Sequence, residues 1–200
     1  MSDDIDLDDD PDEDGLYADE DQLELVGRFG ASLGAIPWFS RVGARLEERE
    51  VREARGYLDA LGFPDVDVAR IASFADAAEA AASPDWDDPA WEAEEQLRAA
   101  LTDDAVARIG AEALSVAMTH IAARAATSID DKITRAAQLW DVEDDALLNA
   151  AKGAAIKAAH EAALVLLAGA EETHPFALKF RLFERGRWPV SVAGASFNLF

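Results

Sequence analysis

The sequence predicts a mainly α fold: a multi-helix bundle of about six helices, two of them long and central, with a small C-terminal antiparallel β-meander. Three observations carry this expectation. Of the 200 residues 43 are alanine, which loses no side-chain entropy in a helix and lets backbones approach closely. From about Asp21 to Ala170 apolar residues recur at helical spacing, interrupted where proline, glycine or capping residues supply a stop. After His174-Pro175 the spacing changes to alternation, the period of a half-buried strand.

The elements follow in order. Residues 1–24 hold thirteen acids and neither Lys nor Arg. Such a block repels itself and has too little apolar surface to offset ordering entropy, so residues 1–21 are expected to form a disordered acidic tail. Residues 22–172 are expected to form the bundle. Leu23, Val26, Phe29 (or Gly30) and Leu33 mark a first helix, ended by Gly34 and Ile36-Pro37. Ser40 fits the cap of a second, carrying Val51, Ala54, Leu58 and Leu61 until Gly62-Phe63-Pro64. A third is read from Val66 to Ala82. Asp88-Pro89 starts a fourth, aspartate accepting free amide hydrogens and proline tolerating the first turn, and it reaches about Leu101.

Two long helices are expected over Asp103–Thr127 and Val142–Gly169, with a short one over Ile129–Leu139 that Ser128 and Asp131 would cap. Their apolar stripes are rich in small residues, which predicts close pairing. In 173–200, Phe176, Leu178, Phe180 and Leu182 read as a strand, Glu184 to Arg187 as a turn, and Trp188, Val190 and Val192 as a second strand. Phe197 to Phe200 complete the meander, which is too small to stand alone and should pack on the helices as one domain.

Composition bounds function. Eighteen basic against 41 acidic residues give a net charge of −23, of which −10 remains for residues 25–200. Nucleic acids and anionic membrane surfaces are poor partners for such a chain. The absence of cysteine excludes disulfides, thiolate metal sites and thiol nucleophiles. The opening MSDDIDLDDD resembles no leader, and the alanine-rich run 150–170 is interrupted by Lys152, Lys157, His160 and Glu161, so a soluble cytoplasmic protein without a membrane span is expected.

Candidate sites are few. Asp10, Asp12, Asp14 and Gly15 space oxygens and a turn as a calcium loop does, but Asp21 stands where a bidentate glutamate belongs and no helix enters the loop. His120 and His160 lie on the stripes of the two long helices, where His160-Glu161 offers a buried polar site. Neither histidine has the glutamate three residues earlier that a di-iron bundle uses, and Leu164 replaces the second histidine of a zinc-protease helix. A histidine bonded within the core accounts for both. Arg41 to Arg55 alternates sign as a self-paired, solvated helix face does. Lys179, Arg181, Arg185 and Arg187, beside Trp188, concentrate positive charge near the C-terminus. They fit either a docking patch for an anionic partner or the protein's own tail, or the outward face of an edge strand.

Phosphate-loop, nucleophile-elbow and Ser-x-x-Lys patterns are missing, and nothing points to a cofactor. The expectation is a non-catalytic protein-interaction module, of inhibitor, immunity or accessory-subunit type, that binds a basic protein partner by charge complementarity. The alternatives are a hydrolase using dispersed carboxylates and core histidines, a homo-oligomeric structural protein using the small-residue helix faces, and charge that reflects only solubility or a salt-rich cytoplasm.

Overall fold

The computed structural model describes residues 20–83 and 87–200. The chain is mainly α with a small β element. Helix α1 (Glu20–Ser32) runs into a 3-10 turn, Leu33–Ala35. Turns over 38–43 lead to α2 (Glu48–Leu61), β1 (Asp67–Arg70) and α3 (Phe74–Ala81). Three long helices follow, α4 (Asp88–Ile109), α5 (Ala111–Trp140) and α6 (Asp145–Ala168). The chain finishes with α7 (Pro175–Glu184), β2 (Pro189–Ala193) and β3 (Ser196–Leu199).

Local chemistry fixes most boundaries. Asp87, and not the expected Asp88, accepts the Ala90 amide at the start of α4, with Pro89 in its first turn. Asp144 caps α6 through Leu147, and Gly169 ends it in the left-handed region at φ +69°. The start of α2 is set by Glu47 and Glu50, which form a reciprocal capping box, and not by Ser40.

Several expected elements differ. The break anticipated near Thr102 does not occur, because its hydroxyl donates back to the Arg98 carbonyl within a continuous α4. The chain instead breaks at Gly110 (φ +80°), and α5 runs unbroken through the expected 127–129 boundary. Ser128 caps nothing there; its hydroxyl donates to Leu33 O at 2.7 Å and accepts from the Trp38 indole, tying α5 to the turn after α1. The first part of the expected third helix is strand β1. The expected strand Phe176–Phe183 is helix α7: Phe176, Phe180 and Phe183 also fit i, i+4, i+7, and His174 Nδ1 accepts the Phe176 amide with Pro175 in the first turn. The sheet is consequently mixed and not a meander. Its order is β1-β3-β2, with β1 parallel and β2 antiparallel to β3.

The core has two parts. In the larger, α5 and α6 pack against one another, and Ala117 and Ala125 of α5 and Ala151, Ala155 and Ala159 of α6 are buried. Its aromatic end gathers Trp38, Phe39, Phe180, Phe183, Trp188 and Phe200 in mostly edge-on or tilted contacts. The smaller part lies under the sheet, where Tyr57, Leu58, Leu182, Phe197 and Leu199 join α2 and α7 to the strands. Residues 1–19 of the expected tail, with Asp10, Asp12 and Asp14 of the calcium-like loop, lie outside the described residues, as does the Asp21 side chain, while the backbone of residues 20 and 21 begins α1.

Candidate functional site

The C-terminal cations are paired within the fold. Arg187 is 0% exposed and clasps Glu50, also 0% exposed, with two hydrogen bonds of 2.9 Å. Its remaining donors reach the carbonyls of Arg41, Ala44 and Arg45 at 2.6 to 2.8 Å, so one guanidinium fixes the turn that leads into α2. Arg185 binds Glu53 through both Nε and Nη2. Arg181 reaches Glu172 at 2.9 Å, and Trp188 is buried. The face of α2 expected to pair only with itself therefore sends Glu50 and Glu53 across to the chain end, leaving Glu48–Arg52 as an exposed i, i+4 pair.

Lys179 belongs to a second buried cluster, assembled from four helices. Tyr57 on α2 donates to Glu94 Oε1 on α4 at 2.6 Å, and Lys179 on α7 donates to the same oxygen. Lys157 on α6 lies 3.4 Å from Glu94 Oε2. Glu161, one turn further along α6, is buried; both its oxygens lack a hydrogen-bond donor, and its nearest cations are Lys157 at 3.6 Å and Lys179 at 3.9 Å. The two carboxyls are driven apart. Burial alone would raise Glu94, but Lys179, Tyr57 and Lys157 outweigh it and hold that carboxyl at about 2. Burial, reinforced by Glu94, pushes Glu161 up against the pull of the lysines. Burial also raises the Tyr57 hydroxyl, which keeps its proton and donates it in the hydrogen bond to Glu94.

A cavity of about 180 Å³ opens beside this cluster, lined by Tyr57, Glu94, Lys157 and Lys179 on its polar side. Trp91, Val192 and Phe197 contribute to the apolar side. Carboxyls with opposite displacements are the raw material of acid–base catalysis. Glu161 does not line this cavity, however, so the pair does not flank a common substrate space.

The histidines do not form a site together. His120 is exposed and packs against Gly30 of α1, where a Cβ would come within 3.3 Å of its Nε2. Gly30 thus serves close packing inside the chain. His160 is half-buried; burial lowers its imidazole, opposed by the Met118 backbone on α5. Among the described residues no group of three or more His, Asp or Glu is arranged to hold a metal ion. No helix among them is long and apolar enough to cross a membrane.

The feature that sequence reasoning missed lies at the corner between α5 and α6. Leu139 is 78% and Trp140 45% exposed. Asp141, Glu143, Asp144 and Asp145 follow directly, all exposed and none in an ion pair among the described residues. Asp141 takes φ +52° to end α5, which turns the chain sharply and concentrates the four carboxylates next to the apolar pair. Trp140 is anchored below by Phe74 and Phe200, so the patch rests on the core. Comparison with models of known families, with curated proteins and with solved structures returns no match.

Proposed function

We propose that this chain is a non-catalytic interaction module that binds a basic protein partner, with the α5–α6 corner as its docking surface. The observation that carries the reading is the pairing of exposed Leu139 and Trp140 with four unneutralised carboxylates, Asp141, Glu143, Asp144 and Asp145. An apolar anchor ringed by charge of one sign is what a partner presenting an apolar side chain among lysines or arginines complements. The acidic segment 1–24 increases the same field and raises the encounter rate.

Affinity capture from the source cells tests this with three baits: the full chain, Leu139→Asp, and the triple variant Asp141→Asn, Glu143→Gln, Asp145→Asn, which spares the Asp144 cap. One stoichiometric basic protein held by the full chain at low salt, released by moderate salt and lost with both variants, is the expected outcome. Equal retention by all three baits would place binding elsewhere, and no retained partner at any salt would remove the reading.

A further inference from the structure

The cavity beside Tyr57 and Glu94 has a chemistry independent of the acidic corner. Its volume of about 180 Å³ exceeds the roughly 150 Å³ that accommodates a single benzene ring. Its apolar walls include Trp91, Val190, Val192 and Phe197, with Trp91 half-exposed. The acids that line it are engaged: Asp87 accepts the Ala90 amide at 3.0 Å, and Glu94 accepts from Tyr57 and Lys179. Ser191 donates away, to the Ala80 carbonyl. The least engaged polar group is the Lys157 ammonium, whose nearest acceptors, on Glu94, Glu95 and Glu161, stand at 3.4, 3.5 and 3.6 Å, beyond the usual range for a charged hydrogen bond. Of the three acids near Lys157, Glu94 is neutralised by Lys179, Glu95 pairs with Arg98, and burial holds Glu161 toward its neutral form.

We propose that this cavity binds a ring-sized organic monocarboxylate, its apolar body between Trp91, Val192 and Phe197 and its carboxylate accepting from Lys157 at the polar end. An ammonium ligand would compete with Lys157 and Lys179, which already neutralise Glu94, and a neutral alcohol forgoes the charge-assisted bond. The cavity would serve as a small-acid site on a binding protein, whether or not the corner docks a partner.

Titration of the full chain with benzoate, benzyl alcohol and benzylamine, followed by calorimetry and by the Trp91 indole resonance, tests the assignment. Benzoate is expected to saturate one site with a Kd of about 1 mM, appropriate to so few atoms. The alcohol and the amine should bind at least about tenfold more weakly. Lys157→Met should weaken benzoate about tenfold or more, and Val192→Phe, which fills the cavity, should abolish binding; Lys152→Met, on the same helix but outside the cavity, should change nothing. No saturation by about 20 mM benzoate, benzylamine binding as tightly as benzoate, or unchanged affinity in both Lys157→Met and Val192→Phe would overturn the proposal.

Discussion

Arg187→Met tests the internal use of the C-terminal cations directly. The substitution keeps an unbranched apolar stem in a fully buried site but removes five hydrogen bonds, two to Glu50 and three to the carbonyls of Arg41, Ala44 and Arg45. Breaking one partner of a buried ion pair costs about 3–5 kcal/mol, because the other charge is left in low dielectric. Glu50 keeps Arg41 at 3.4 Å and the Glu47 amide at 2.7 Å, which moves the cost toward the lower end. The stranded carbonyls add about 1 kcal/mol each unless water reaches them. We expect about 4 kcal/mol in all, a fall in Tm of roughly 8–16 °C for a chain of this size. Urea denaturation followed by circular dichroism should show a lower midpoint at unchanged slope. In a double-mutant cycle with Glu50→Gln the coupling should be about 2 kcal/mol or more. A loss under about 1 kcal/mol, or additivity within about 0.5 kcal/mol, would show that the pair is an ordinary surface contact and refute the reasoning.

Two further outcomes follow from the same structure. Because Glu94 is held at about 2, below its ordinary 4.5, it contributes stability that is full above about pH 4.5 and is lost as pH falls toward 2, worth roughly 3 kcal/mol. Thermal unfolding between pH 5 and 3 should therefore be steeper in the native chain than in Glu94→Gln, and equal slopes would contradict the assignment. Gly186→Ala places a Cβ against Ser40 Oγ and 2.9 Å from the Pro37 carbonyl, at φ +77° where an L side chain is strained. It should cost about 2–3 kcal/mol in chemical denaturation, whereas a neutral result would mean that the 37–41 turn is free to move.

Much of the fold was legible because its signals are local. Asp88-Pro89 announces α4 to within one residue of its Asp87 cap, and Gly169 closes α6. The α7 error has a physical origin: FALKFRLF satisfies both period 2 and period 3.6, and its alanine, leucine, lysine and arginine content, free of β-branched residues, favours the helix that forms. Strand β1 is only four residues long and is defined by its pairing with Ser196–Leu199, about 130 positions away, which no window around Val68 contains. The site was harder to read for the same reason. Tyr57, Glu94, Lys157 and Lys179 come from four helices, and only the Lys157–Glu161 spacing was visible along the chain. The cations at 179–187 looked exposed because their acidic partners, Glu50, Glu53 and Glu94, lie about 85 or more positions earlier. The exposed corner was hidden because the expected short helix ended at Leu139, whereas the left-handed Asp141 ends α5 after Trp140 and fixes where the turn falls.

The claim that the α5–α6 corner docks a basic partner is tested most directly by amide hydrogen exchange of the chain alone and in complex with the protein captured by the full-length bait. The account predicts slowed exchange confined to the segment around residues 138–146 and reversed by added salt. Protection that leaves this segment unchanged, or that persists undiminished at high salt, would contradict it.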